Sequence, residues 1–238
     1  MRTSFFVDGY NLFYGLLAGT PYKWLDLPAL LAHICKIQNP ASVTQQVNYF
    51  TSPVLPPLAS RGKQSAEAQD IYIRALKAQG VIVNLGRHRL NRGKAPRYIE
   101  GVQASRTDKV DVWDLEEKET DVNIAISMYR LLACQRNKNV AQCIEQIVLV
   151  SADTDMTPAL KAIREDFPTV TVGIILPHRE GIDRGVPGSL KNHSDWIRRH
   201  VKIDELIAHQ FPPRVPTRKN QPISLIIGST IVKDVASG

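Results

Sequence analysis

Short apolar runs alternate with stretches of helical spacing along most of the chain. The segments TSFFV, VTQQVNYF, VIVNLG, IVLV and TVTVGIIL have the length and composition of buried strands. LPALLAHICKI, AEAQDIYIRALKA, the segment Leu115 to Leu132 and the segment Met156 to Ile163 place apolar residues at helical spacing. Four or five strands separated by helices predict an α/β fold, a three-layer α/β/α sandwich with a mostly parallel central sheet.

The connections divide the chain into one main domain and a tail. From Gly86 to Val112 the pattern loosens into a basic, glycine-containing loop or hairpin. We expect residues 1–212 to form the domain and residues 213–238 to form a Pro-rich extension, in which ISLII and TIVKDV flank Gly228 and Ser229 as a possible β-hairpin. Such a tail serves an edge contact or self-association in a homo-oligomer, or it is simply an ordered extension.

Composition limits the class of protein further. Of the 238 residues 43% are apolar, which is ordinary for a globular core, and no apolar run approaches 18 residues. Asp8 and Asn11 fall where a signal peptide needs its apolar region, so a cytoplasmic protein without a membrane segment is expected. Cys35, Cys134 and Cys143 show no C-x-x-C pairing and are predicted to be reduced core thiols.

The net charge of +7 suits a polyanionic partner but also suits many proteins without one. One basic run lies between Leu85 and Ile99 without any acid, which indicates either a solvated loop or a segment that contacts phosphates. A second basic cluster brackets Trp196. The first run comprises Arg87, His88, Arg89, Arg92, Lys94 and Arg97, and the second comprises Lys191, His193, Arg198, Arg199, His200 and Lys202.

Acidic residues stand directly beside apolar runs at three places. FFVDGYN contains Asp8, EEKETDVNIAI contains Asp121, and VLVSADTD contains Asp153 and Asp155. Singly, these acids suit a strand-end turn, a helix first turn and a helix N-cap. Carboxylates that converge at the carboxyl edge of one parallel sheet repel each other unless a cation neutralises them. The pattern therefore predicts a site for Mg²⁺ or Mn²⁺, and phosphodiester chemistry with a water nucleophile.

Polar residues near these acids have a structural and a functional interpretation. Asn11 either caps the helix that begins at Leu12 or holds Asp8 or a metal-bound water. Ser151 either satisfies backbone groups at a turn, or it has a functional role in which it orients Asp153 or touches a phosphate. Lys118 and Glu117 precede Asp121 by three and four residues, so on one helical face they could steer phosphate or add a ligand, or simply be solvated.

In this order and at these separations, FFVDGYNLF, EEKETDVNIAISMYRLL and IVLVSADTDMTPALKAI resemble the NYN domain family, specifically its LabA-like (DUF88) branch within the PIN-like nuclease superfamily. SLKNHSDWIRRHVKIDELI resembles the closing helix of that branch, so the resemblance covers roughly residues 3 to 212. It implies a PIN-like sandwich, an acidic Mg²⁺ pocket and ribonuclease activity. By position Asp8, Asp121, Asp153 and Asp155 match the acidic site, and Asn11 and Ser151 match its polar companions.

The chain departs from the family pattern at three points. Ser127 stands where an aspartate is expected, Met156 replaces the usual phenylalanine, and the cysteine pairs that some members carry before EEK are missing. The first departure matters if that acid helps to bind metal. The other two affect packing or an accessory element.

The leading hypothesis is a metal-dependent endoribonuclease, with Tyr98 or Trp196 available for stacking on RNA bases. The alternative is a non-catalytic RNA-binding or regulatory scaffold that keeps the acidic pocket for its architecture. A Toprim-type transferase or a haloacid-dehalogenase-type phosphatase fits less well, because Asp8 stands where the former needs a glutamate and Tyr10 where the latter needs a second aspartate. The substrate-binding residues of the leading hypothesis are Asn11, Ser151, Lys118, Arg87, Arg89, Arg92, Lys94 and Arg97.

Overall fold

A sheet of six parallel strands forms the centre of the computed structural model, which describes residues 1–135, 142–182, 185–217 and 221–225. Its spatial order is β3-β2-β1-β6-β7-β8. The predicted class, a three-layer α/β sandwich with a mostly parallel sheet, is confirmed. The strands are β1 (Arg2–Asp8), β2 (Val43–Thr51), β3 (Ile82–Leu85), β6 (Gln146–Val150), β7 (Thr171–Ile175) and β8 (Trp196–Arg198).

The sheet changes its direction of growth between β1 and β6. β1 pairs with β2 on one side and with β6 on the other, and both pairings are parallel. The chain from β1 builds outward to β3 on one side, and the chain from β6 builds outward to β8 on the other. Loops that leave the carboxyl ends of two such strands diverge and leave a crevice between them. The segments after Asp8 and after Val150 border that crevice.

Helices cover both faces of the sheet because alternate strand residues point to opposite faces. Phe5 and Val7 pack with α1, α2, α3 and α7, whereas Phe6 packs with α4, α5 and α6. A π-helical turn, Phe13–Leu17, continues α1 directly. The helices are α1 (Gly9–Leu12), α2 (Leu27–Gln38), α3 (Lys63–Ala78), α4 (Thr120–Ala133), α5 (Thr157–Asp166), α6 (Gly188–Lys191) and α7 (Ile203–Ala208).

The segment between β3 and α4 is an antiparallel hairpin whose strands pair only with each other within the described residues. It consists of β4 (Arg87–Pro96) and β5 (Lys109–Lys118). The predicted helix from Leu115 is therefore wrong at its start, since α4 begins at Thr120. Glu119 makes the sharp turn between them with a left-handed φ of 75°, which costs a non-glycine residue about 1–2 kcal/mol.

The segment that resembles a closing helix is not one helix. It forms the short helix α6, the edge strand β8 and then α7. The carboxylate of Asp195 accepts hydrogen bonds from the Val172 backbone N–H and from Arg164, and so holds the start of β8 against β7. This side-chain anchor favours a strand where the family resemblance indicated a helix.

After α7 the chain returns to the body of the domain. Two short antiparallel strands, β9 (Arg214–Val215) and β10 (Ile223–Ser224), pair with each other. Val215 and Leu225 are buried in the core that also contains α2 and α3. The predicted hairpin around Gly228 and Ser229 lies outside the described residues.

The three cysteines do not share one environment. Cys35 is buried, and burial raises the pKa of its thiol to about 12. Cys143 is half-buried and Cys134 is exposed, so the prediction of a core thiol is wrong for Cys134. In the described part of the chain, no helix combines the length and the apolar character that a bilayer crossing requires.

Candidate active site

Three aspartates from distant parts of the chain meet at the crevice between β1 and β6. Asp8 ends β1, Asp121 lies in the first turn of α4, and Asp153 follows β6. One carboxylate oxygen of each lies within 4.8 Å of the others. Asp8 is buried, Asp153 is half-buried and Asp121 is exposed, so the trio forms a pocket that opens to solvent at α4.

Local structure fixes the Asp8 carboxylate at the bottom of the pocket. Its Oδ1 accepts a hydrogen bond of 3.0 Å from the Asn11 backbone N–H, because Asp8 is the N-cap of α1. Its Oδ2 accepts a hydrogen bond of 3.2 Å from the hydroxyl of Ser151. Gly9 follows Asp8 because a Cβ there would lie 2.7 Å from the Phe50 carbonyl and from the Tyr49 ring.

Asn11 and Ser151 connect the two strand ends that carry the acids. The Asn11 side-chain oxygen accepts a hydrogen bond of 3.0 Å from the Ala152 N–H, and Ser151 accepts one of 3.0 Å from the Asp153 N–H. Ser151 is fully buried. The two residues therefore act as supports that position Asp8 and Asp153, and the burial of Ser151 keeps its hydroxyl away from a substrate phosphate.

Asp155 lies beside the trio without belonging to it. Its backbone N–H donates a 2.9 Å hydrogen bond to Asp153, which caps the 3₁₀ turn Thr154–Met156. The set of converging carboxylate oxygens in the described chain comprises Asp8, Asp121 and Asp153. The negative charge of Asp155 nevertheless contributes to a raised pKa at Asp121. Its position suits an outer ligand of the pocket better than a central one.

Negative charge is energetically unfavourable in the pocket, because the acids are partly buried and repel each other. Burial raises the pKa of Asp8 from 3.8 to about 6, and the charges of Asp121 and Glu117 add to the shift against the lowering effect of its two hydrogen bonds. Partial burial and the neighbouring Asp153, Glu117 and Asp155 also raise the pKa of Asp121. A cation at the centre removes this repulsion, and carboxylate oxygens are the donors that Mg²⁺ and Mn²⁺ prefer. The residues present therefore fit a hard divalent ion.

Glu117 is the site residue whose position the helical pattern misplaced. It lies on β5 with its carboxylate close enough to act electrostatically on Asp8 and Asp121, and its Oε1 accepts a 2.6 Å hydrogen bond from Thr120. Thr120 is itself 3.3 Å from the hydroxyl of Ser52. In the sequence, Val110 and Val112 alternate with Asp111, and acids flank Leu115 on both sides. This alternation is typical of a strand, and a strand here places Glu117 beside the pocket.

Three ring side chains, Tyr10, Tyr14 and His88, pack together where α1 meets the hairpin. Tyr10 stacks on Tyr14 with ring centroids 5.9 Å apart and contacts the edge of His88 at 5.5 Å. The Tyr10 hydroxyl donates to the Ser52 carbonyl, and burial together with the Glu117 charge raises its pKa. Tyr14 is 69% exposed, so it offers a free ring face beside the pocket.

The basic run lies on the hairpin, where acids of the opposite strand neutralise part of it. Residues 87–118 contain eight basic and six acidic side chains. Lys118 lies on β5 next to Glu116, and not on a helical face with Asp121. Arg89 donates to the Asn91 side chain. The ion pairs are Arg87 with Glu119, Lys94 with Asp111, Arg97 with Asp108 and Lys118 with Glu116.

The two aromatic residues predicted to stack on RNA differ in solvent exposure. Tyr98 is 88% exposed just beyond β4. Trp196 is half-buried, its indole N–H donates to Gln146, and its ring covers Gly173. Trp196 is therefore a structural residue and the stacking prediction for it is wrong. Arg198, beside it, makes a two-point contact with buried Glu205.

Two departures from the family pattern have a structural explanation. Ser127 lies six residues after Asp121 on α4, about 9 Å along the helix and about 120° around its axis, so it is not on the same face as Asp121. Met156 is buried in the core with α4 and α5, where it fills the volume that a phenylalanine would occupy. Neither residue belongs to the converging carboxylates.

The chain thus combines a parallel α/β sandwich with carboxylates that converge at its topological switch point. The chain belongs to the NYN domain family, whose model matches residues 2–195. The match spans β1, α4 and β6, the three elements that supply the acids.

Two known proteins resemble the chain over most of its length. One is 6-hydroxy-3-succinoylpyridine 3-monooxygenase HspA of Pseudomonas putida, which is 32% identical over 245 residues, covering 92% of this chain and 73% of that protein. The other is a crystal structure of a Vibrio parahaemolyticus protein described as of unknown function. It is 14% identical with a TM-score of 0.47, and the comparison covers 88% of this chain and 96% of that one.

Proposed function

We propose that the protein is an endoribonuclease of the LabA-like branch that hydrolyses RNA phosphodiester bonds with Mg²⁺ or Mn²⁺. The observation that carries this proposal is the convergence of Asp8, Asp121 and Asp153 within 4.8 Å. The raised pKa of Asp8 supports it, because a buried carboxylate under repulsion gains most from a cation.

The side chains of the site have three different roles in this proposal: metal binding, support of the ligands and proton transfer. Asp8, Asp121 and Asp153 would hold the ion, with Asp155 available at the rim. A bound divalent ion lowers the pKa of a water and stabilises negative charge on phosphate oxygens. Ser151 and Asn11 hold the Asp8 and Asp153 segments together through hydrogen bonds, and Glu117, whose charge acts on Asp8 and Asp121, would accept a proton from the attacking water. No histidine or cysteine is needed for this chemistry.

RNA is the proposed substrate, and the charge of the chain supports it. The net charge of +7 favours a polyanion overall, and the hairpin that leads to the acids carries two more basic than acidic side chains over residues 87–118. Arg87, Arg89, Arg92, Lys94 and Arg97 are exposed on the hairpin, where they can contact a phosphate backbone. Phosphates that approach along the hairpin would reach the pocket at His88 and Glu117, the second pair from its base.

The decisive experiment compares Asp153→Asn with Asp70→Asn. Asp70 is an exposed aspartate on α3 that pairs with Arg74, so its variant controls for the loss of one negative charge. With Mn²⁺ or Mg²⁺ we expect the parent and Asp70→Asn to cut a labelled RNA, and Asp153→Asn or added EDTA to reduce cutting at least 100-fold. RNA binding without cleavage in the parent would contradict the proposal and support the alternative of a regulatory scaffold.

A second candidate activity comes from the Pseudomonas putida relative, whose name describes a monooxygenase acting on a succinoylpyridine. The exposed Tyr14 face beside the pocket suits a flat heteroaromatic ring as well as a nucleobase. The donor set argues for hydrolysis, because oxygen-activating iron sites characteristically use two histidines with one carboxylate, whereas this trio is all carboxylate. Aerobic incubation with 6-hydroxy-3-succinoylpyridine and a reductant, followed by chromatography, tests this activity directly.

A further inference from the structure

The hairpin has one face that continues the pocket. In an antiparallel pair, residues opposite each other share a face and every second residue lies on the same side. His88 is opposite Glu117, Leu90 is opposite Leu115, and Arg92 is opposite Trp113. Since His88 contacts Tyr10 and Glu117 acts on the acids, this outer face begins at the pocket and leads away from it.

Apolar and aromatic side chains are exposed along this outer face. Leu90 is 39% exposed, Leu115 is 43% exposed and Trp113 is 59% exposed. The Arg92 guanidinium lies over the Trp113 ring, 5.3 Å from its centroid, in a cation–π arrangement. The opposite face instead presents small or half-buried residues such as Gly93 and Val112. The two faces of the hairpin therefore differ in chemistry.

The spacing and charge of the outer face fit an extended nucleic-acid strand. Successive pairs on one face are about 6.7 Å apart, which places Trp113 about 13 Å from Glu117. Beyond Trp113, the cations Arg92, Lys94 and Lys109 face Asp111 alone, so this end carries a net positive charge. Stacking rings interleaved with cations are the combination that binds single strands, whose base faces are free, whereas a duplex hides its base faces.

We propose that the outer face of the hairpin is a stacking platform on which Trp113, with Arg92, binds an unpaired base of the substrate RNA about two nucleotides from the bond that is cut. This inference rests on the proposed function for its choice of RNA. It makes the enzyme selective for single strands and assigns that selectivity to β4 and β5, outside the acidic trio.

Binding is measured in the Asp153→Asn background with a labelled single-stranded oligonucleotide and with a duplex of the same sequence. We expect Trp113→Ala to weaken single-strand binding about 10-fold, with duplex binding changed less than 2-fold, since one stacked base is worth about 1–3 kcal/mol. Trp113→Phe should keep the affinity but lose the quenching of tryptophan fluorescence by RNA, because Trp24 and Trp196 are half-buried. Val112→Ala, on the opposite face of β5, is the matched control and should leave binding unchanged.

The outcomes separate this inference from the proposed function. If Trp113→Ala binds single strands like its parent, or loses duplex binding equally, the platform is refuted even where RNA cleavage is observed. If the wild type does not cut RNA but single-strand binding depends on Trp113 as described, the platform stands and the nuclease proposal fails. A change of oligomeric state in Trp113→Ala, with RNA binding unaffected, would show that the face binds protein and would overturn the inference.

Discussion

Replacing Asp8 by asparagine should stabilise the metal-free protein while removing its activity. Burial raises the pKa of Asp8 to about 6 from 3.8, so the ionised carboxylate disfavours the folded state at neutral pH. A raised acid pKa gives a penalty that is complete above the folded pKa and disappears as pH falls towards the unfolded pKa. The shift corresponds to a penalty of about 3 kcal/mol at pH 7, about 1.6 kcal/mol at pH 5 and about 0.6 kcal/mol at pH 4.

The asparagine removes this penalty but loses one hydrogen bond. The Ser151 hydroxyl donates to Asp8 Oδ2, and the amide nitrogen of an asparagine in that orientation cannot accept it. The lost bond costs about 1 kcal/mol. Asp8→Asn should therefore raise the free energy of unfolding by about 2 kcal/mol at pH 7 and give no advantage at pH 4.

Urea denaturation in EDTA at pH 7, 5 and 4 measures this difference, with Asp70→Asn as a control that should change little at any pH. Saturating Mn²⁺ should reverse the order, because only the parent gains the free energy of binding the ion. A variant that is less stable than the parent at pH 7, or whose advantage does not shrink on acidification, would refute the picture of a repulsive, desolvated carboxylate.

Three further outcomes are expected. Ser151→Ala should lower the free energy of unfolding by about 1–3 kcal/mol in urea titrations, because it leaves a carboxylate oxygen of Asp8 and the Asp153 N–H without their buried partner. Mn²⁺ affinity measured by calorimetry should fall up to about tenfold per pH unit below about pH 6, since the ion must then displace a proton from Asp8; an affinity that is constant between pH 7.5 and pH 5 would contradict this. Gly86→Ala should cost about 1–3 kcal/mol and lower kcat more than it changes KM, because its Cβ would lie 2.8 Å from the Lys118 carbonyl and 2.5 Å from Thr120, which positions Glu117; unchanged kinetics would show that the hairpin base is not coupled to the acids.

The apolar runs were sufficient to predict most of the sheet and its parallel arrangement. β1, β6 and β7 contain short apolar runs and the second half of β2 is buried, so the approach of Asp8 and Asp153 at the carboxyl edge followed from topology. The three-residue strand β8 was not predicted, because it is too short for a periodic signal and because hydrogen bonds to the Asp195 side chain determine its conformation. Long-range contacts of this kind have no local pattern.

The hairpin shows why charge patterns in the sequence were harder to interpret. EEKET combines strong helix formers, so local propensity favoured a helix where pairing with β4 imposes a strand. That change of period moved Glu117 towards the pocket and Lys118 to the other face. It also brought Asp108 and Asp111 next to the basic run, where they neutralise Arg97 and Lys94, which have no acidic neighbour within the run itself.

The three pocket aspartates are separated by more than a hundred residues of chain, from Asp8 at the first strand to Asp153 after the sixth. During synthesis, a growing chain that has not yet extended past Asp153 has no complete set of ligands, however well its first half has folded. Prematurely terminated products that end before Asp153 therefore lack the complete pocket.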